Sequence, residues 1–344
     1  MLTRPLTALG RWARPRLATP PWAAGLGLAR TLLALGTLGT LLATSPRVLM
    51  SPLADGTKVP VCSGISQAGV WCAVPGFHGE AARWLCVAVL VVTASGWRPR
   101  LTGVAHWYVS WSLIVNVTVI DGGDQVTAVL TLLLIPVTLT DPRRWHWERP
   151  RRRATGASRV VAYAALLLVQ AQVAGLYLHA SVAKLGVTEW ADGTAMYYWL
   201  RNAGFGAPGW LRPLTDAVTG SAAGVAMLTW SAIVLEFTLA VAILLRPAAK
   251  RRLLVAGIGF HAMIAVTMGL PSFSTAMTAA LLLYLRPIGG GVPVPATVLR
   301  GWARLGGWLR GARRPAPVAA SVLVPADGHG ATTVRLPALR SGRP

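Results

Sequence analysis

Apolar residues run along the chain in blocks of about 15 to 25, each closed by a short polar stretch. A helix rises about 1.5 Å per residue, so some 20 apolar residues cross a hydrocarbon layer about 30 Å thick. The blocks predict helices near residues 22–44, 82–96, 103–120, 126–140, 158–180, 224–245, 253–270 and 273–286. The second and the last are short for a crossing. A soluble domain cannot wrap so many such blocks, so the expected fold class is all-α: a polytopic integral membrane helical bundle with about eight transmembrane helices.

Composition changes the picture in one respect, the position of charge. The 344 residues are 54% hydrophobic with a mean hydropathy of +0.53, and 33 Lys and Arg stand against 11 Asp and Glu. A net charge of +22 would point to nucleic acid in a soluble protein. In a membrane protein the same excess marks the loops that stay in the cytoplasm. With the N-terminus inside, 25 of the 33 basic residues fall in the N-terminal arm, WRPR (97–100), DPRRWHWERPRRR (141–153), RPAAKRR (246–252) and the tail. This predicts both ends in the cytoplasm of a cell-membrane protein whose first partner is the lipid bilayer, with no role for nucleic acid. The domain reading is a basic cytoplasmic arm over 1–21, a transmembrane domain over 22–287 and a basic, Pro- and Gly-rich cytoplasmic tail over 288–344. Most of that tail is expected to be disordered. Within it, residues 298–312 fit either a short basic helix on the membrane surface or a solvated segment.

Cys62 and Cys72 bracket VCSGISQAGVWC in a segment assigned to the outside, where a disulfide persists, so they are a candidate pair. Cys86 sits in an apolar run and reads as a buried thiol. Neither the cysteines nor the histidines have metal-ligand spacing, and no nucleotide-binding motif appears.

Ionisable groups inside apolar spans are expensive and therefore informative. Arg30 lies well inside helix one, and Glu236, near the middle of the sixth span, is the natural candidate for an anionic partner; the two fit either a structural ion pair or a role in a substrate or proton path. His106 and His261 read as buried packing residues or as functional ones. The segment YLHASVAKLGVTEWADGTAMYYWLRN (177–202) is the densest polar and aromatic stretch. Lys184, with His179 and Glu189 five residues to either side, fits an interfacial anchor or a catalytic base with two supporting groups. In the turn DGGDQ, Asp121, Asp124 and Gln125 fit helix capping or recognition of a cation or basic peptide at the outer mouth of the bundle.

The same stretches carry a resemblance. GLGLARTLLAL, SWSLIVNVTVIDGGDQ with LTLLLIPVTLTDPRRWHW, and YLHASVAKLGVTEWADGTAMYYWL resemble the SdpB-like membrane proteins. Those belong to the group with the horizontally transferred transmembrane (HTTM) domain, which is related to the membrane part of vitamin K-dependent gamma-glutamyl carboxylase. HAMIAVTMGLPSFSTAMTAALLLYL is similar to the closing segment of that domain. The resemblance spans about residues 22–287. It implies a bacterial membrane factor needed to mature or export a secreted antimicrobial or toxin peptide, with a peptide precursor and companion maturation proteins as partners. It also implies two other readings: an intramembrane enzyme acting on a quinone-like or lipid substrate, with Lys184 at the position of the carboxylase's base, or a non-catalytic immunity or scaffold protein. The carboxylase's large lumenal domain has no counterpart in the short basic tail, so carboxylation and its vitamin K cofactor are not carried over. No cofactor or metal is implied.

Overall fold

The computed structural model describes residues 17–73, 79–149 and 154–290, together with the backbone of two short strands, 321–324 and 332–335. Helices occupy all eight predicted positions: α1 (Ala24–Ala43), α4 (Gly79–Ser95), α5 (Pro99–Asn116), α6 (Gly122–Leu139), α7 (Gly156–Leu185), α11 (Ala222–Ala240), α12 (Pro247–Met268) and α13 (Pro271–Leu285). Five short helices lie in the connections: α2 (Pro46–Leu49), α3 (Val70–Ala73), α8 (Thr188–Ala191), α9 (Ala195–Arg201) and α10 (Arg212–Thr219). Between α7 and α11, where no crossing is predicted, the chain forms three of these short helices.

The boundaries follow local chemistry. Proline opens α5, α12 and α13, where its missing N–H costs nothing. The side chains of Thr155 and Ser221 accept the backbone N–H of Ser158 and Gly224, capping α7 and α11. Gly269 ends α12 at φ +68°, a left-handed conformation that glycine adopts without strain.

Among the described residues, five helices are long and apolar enough to cross a membrane: α1, α6, α7, α12, and α11 with its 3-10 extension to Leu244. The last helix, α13, has only 15 residues, yet every residue from Met277 to Leu285 except Thr278 is buried. It packs against α1, α6, α7 and α12 and is the centre of the bundle. One core gathers Leu33, Val137, Val169, Val173, Leu239 and Leu281 around it. A second core, built on the other face of α1, joins Leu41, Cys86, Leu90 and Leu113 from α1, α4 and α5. By contrast, α12 buries only Gly257 and His261, and turns the rest of its apolar surface outward.

In the C-terminal segment, β1 (Ser321–Val324) pairs antiparallel with β2 (Thr332–Arg335), Ser321 opposite Arg335 and Val324 opposite Thr332. This is regular backbone in a tail expected to be mostly disordered. The proposed surface helix at 298–312 falls outside the described residues, as do 1–16.

Candidate functional site

Helix α7 carries Tyr163, Gln170, Tyr177 and Lys184 seven residues apart. Seven residues are just short of two helical turns, so the four lie on one stripe. Each polar tip on that stripe is satisfied by another segment. Tyr163 donates to the Thr19 carbonyl at 3.1 Å, and Gln170 Nε2 donates to the carbonyls of Tyr284 and Leu283 at 3.3 and 3.4 Å. Tyr177 Oη lies 2.8 Å from His261 Nε2 on α12. Lys184 Nζ donates to both Glu236 oxygens on α11, at 2.7 and 2.9 Å. Its ammonium also stands 5.2 Å from the Trp190 ring centroid, within cation–π range. Three helices thus converge on a lysine–carboxylate pair and a tyrosine–histidine pair. The rings of Phe260 and Phe273 meet His261 edge-on, and its Nδ1 is buried with no hydrogen-bond partner among the described residues.

This geometry corrects one expectation. Arg30 and Glu236 are not partners, because Lys184 occupies both carboxylate oxygens. Arg30 is buried elsewhere: Nη2 donates to Thr102 Oγ1 at 3.1 Å, and Nη1 lies 3.4 Å from His146 Nδ1. His146 belongs to the α6–α7 connection, which folds back into the bundle. Its backbone N–H donates to the Gly96 carbonyl at 2.9 Å, and its carbonyl accepts Arg143 Nη1 at 2.6 Å. Gly96 has φ +87°, and a Cβ there would overlap the His146 ring; one at Gly27 would come within 2.9 Å of it. Arg143 is in turn paired with Asp141 at 2.7 Å, with side chains 0% and 2% exposed. Burial, and then the charges of Arg30 and Arg143, hold the His146 pKa well below the usual histidine value. His106 is buried nearby on α5, and its Nε2 has no partner among the described residues.

His179 and Glu189 are exposed, and neither side chain makes a hydrogen bond or ion pair among the described residues. The structure therefore gives Lys184 a different set of neighbours, Glu236, Trp190 and the Tyr177–His261 pair. The seven-residue spacing was the signal that could have brought in Tyr177; His146 lies in the PRRWHW run that carries the resemblance, but nothing there marked it as a partner of Arg30.

The turn at 121–125 joins three helices. Asp121 is the N-cap residue of α6 without a side-chain cap bond, and its Oδ2 instead accepts Ser272 Oγ of α13 at 2.6 Å. Asp124 accepts Thr37 Oγ1 at 2.7 Å and Thr40 Oγ1 at 3.0 Å, both from α1. It is buried, so the expected mouth with two accessible acids has only one; Gln125 is exposed. Cys62 and Cys72 are joined as a disulfide, and Asn116 of α5 donates to Cys72 Sγ at 3.4 Å. Cys86 is a buried free thiol. Beside Asp121 lies a groove of about 780 Å³, walled by α1, the α5–α6 link, the α12–α13 turn, Trp199 and Phe205.

Residues 100–288, from the basic link before α5 to the end of α13, match the HTTM domain. The chain belongs to the HTTM domain family. Two Bacillus subtilis proteins are similar to it over 271 residues, 78% of this chain. The uncharacterized protein YitO is 40% identical, with 87% of its length covered. The sporulation-delaying protein SdpB is 34% identical, with 83% of its length covered. No solved structure matches. With these relatives and its apolar helices, this HTTM protein is a multi-spanning protein of the bacterial plasma membrane.

Proposed function

We propose that this HTTM protein is a membrane factor for the maturation or export of a secreted antimicrobial or toxin peptide, acting with a peptide precursor and companion proteins. The similarity to sporulation-delaying protein SdpB, 34% identity across 83% of that protein, carries the reading. In the same proposal all eight helices cross the membrane and both chain ends lie in the cytoplasm. The basic links 97–100, 141–153 and 246–252 support that orientation, since Lys and Arg collect on the cytoplasmic side. The test is mass spectrometry of secreted peptides from wild-type and deletion cells. A processed peptide that disappears in the deletion and returns with the gene is the expected result; an unchanged peptide profile would reject the role.

A second reading, intramembrane catalysis on a quinone-like or lipid substrate, is favoured by one observation. Titratable side chains of α7, α11 and α12 are clustered where charge is expensive: Lys184, Glu236, Tyr177 and His261. An ammonium donating to a carboxylate is not itself a base, so this chemistry requires the Lys184–Glu236 pair to open or to relay its proton. Cells carrying Lys184→Ala at normal protein abundance decide between the readings. Retained peptide processing favours a factor without lysine chemistry, and complete loss favours catalysis.

A further inference from the structure

The groove beside Asp121 is lined mostly by apolar side chains and glycine, with the hydroxyls of Thr40, Thr44, Ser272 and Thr275 among them. Its volume of about 780 Å³ lies within the roughly 300–1,000 Å³ of ligand pockets. Gly36 and Gly39 lower its α1 wall, while the exposed rings of Trp199 and Phe205 stand at its rim. Among the described residues, Asp121 is the one charged residue on the lining, and no Lys, Arg or His lines it. One of its oxygens is taken by Ser272, and the other accepts no hydrogen bond among the described residues.

The helix ends around the groove offset one another. The N-termini of α6 and α13 bring partial positive charge to Asp121, while the C-termini of α1 and α12, at Thr44 and Met268–Gly269, bring partial negative charge. The carboxylate therefore sets the sign of the site. A phospholipid would bring a phosphate with no basic side chain to meet it. An apolar chain carrying an ammonium group fits both features.

We propose that the groove is the binding site for an apolar peptide segment, and that Asp121 receives an ammonium group from the peptide's free amino terminus or from a lysine within it. The proposal rests on the peptide-handling reading above and names the site for it. Asp124, buried against Thr37 and Thr40, holds the α1 wall in place and makes no contact with the peptide.

The test uses the full chain in phosphatidylcholine nanodiscs and a fluorescent ten-residue leucine–alanine peptide, read by anisotropy. The peptide has three forms: a free amino terminus, an acetylated amino terminus, and an acetylated terminus with one internal lysine. Wild-type protein is expected to bind the free form about tenfold more tightly than the acetylated one. Tight binding of the lysine form assigns the ammonium to a side chain, and weak binding assigns it to the terminus. Asp121→Asn should abolish the discrimination. Gly39→Phe should remove binding of every form, because a side chain at Gly39 meets nothing within 4 Å and projects into open space. That variant also replaces a helical glycine, so folding is not put at risk. Equal binding of all three forms by wild-type protein, unchanged binding by Gly39→Phe, or displacement of the peptide by phosphatidylethanolamine vesicles would overturn the proposal. Binding is read without secretion, so its failure leaves the deletion result standing. A normal peptide profile in the deletion, with groove binding intact, would fail the maturation role alone.

Discussion

Two buried polar clusters in the same bundle are built on opposite plans. Around Arg30, the partners are mainly a loop: His146 from the α6–α7 connection, with the Asp141–Arg143 pair behind it and backbone carbonyls closing the remaining donors. Around Lys184, the partners are side chains on helices, Glu236, with Tyr177 and His261 beyond. The reason lies in the backbone. A helix has already used its internal N–H and C=O groups, so a charged side chain within a helical bundle finds its main partners in other side chains or in the carbonyls near a helix end. A loop folded into the bundle brings free carbonyls with it. The first cluster is therefore locked, with the Arg143 and Asp141 side chains 0% and 2% exposed. The second is more open, Lys184 and Glu236 being 23% and 10% exposed.

That contrast can be broken most directly at the locked cluster. Asp141→Asn leaves Arg143 charged and buried, and should cost about 3–5 kcal/mol, enough to remove most folded protein from a detergent extract. Retention of wild-type thermal stability would show that the α6–α7 connection does not hold the bundle.

A smaller effect is expected at Lys184. In a double-mutant cycle of Lys184→Met and Glu236→Gln, each single change should destabilise the detergent-solubilised protein, with a coupling of about 1–2 kcal/mol. All three variants should remain folded. Coupling near zero would mean the pair contributes function and no stability.

A third measurement separates the clusters by pH. The His146 pKa is lowered on folding, so its contribution is fully present above the unfolded value of about 6.5 and is lost as pH falls from there toward the folded value. Thermal stability should drop by up to about 1.4 kcal/mol per pH unit below that point, and His146→Asn should flatten this part of the profile. An identical profile in the variant would assign the acid sensitivity elsewhere. The smallest change is Tyr177→Phe, which removes one hydrogen bond to His261 and should cost about 1 kcal/mol. It also sharpens the choice of function. Normal peptide processing in this variant would separate the Tyr177–His261 pair from the working chemistry.

The helices were legible because each apolar run is a local signal, needing no knowledge of its neighbours. α13 was legible only in part. Its 15 residues look too few for a main element, and only the packing of four helices around it reveals the centre of the bundle. Arg30 was legible as a residue in need of a partner, but its partner was not: His146 is 116 positions away, in a link whose basic character suggested only a cytoplasmic loop. The DGGDQ turn carried its two acids openly in sequence, yet only the fold separates Asp124, buried against α1, from Asp121, left with a free oxygen at the groove. His179 and Glu189 were chosen for closeness to Lys184 along the chain, but His179, five residues back on α7, lies on a different face, and Glu189 belongs to α8 beyond the end of that helix.

The sequence alone determined the number and placement of the long helices, the expensive polar positions within them and the family, since all of these are properties of short stretches read in order. Which of those polar positions meet was decided by the tertiary structure. In an apolar interior every charge must be answered, and the answer, Glu236 for Lys184 and Thr102 with His146 for Arg30, lies far away along the chain.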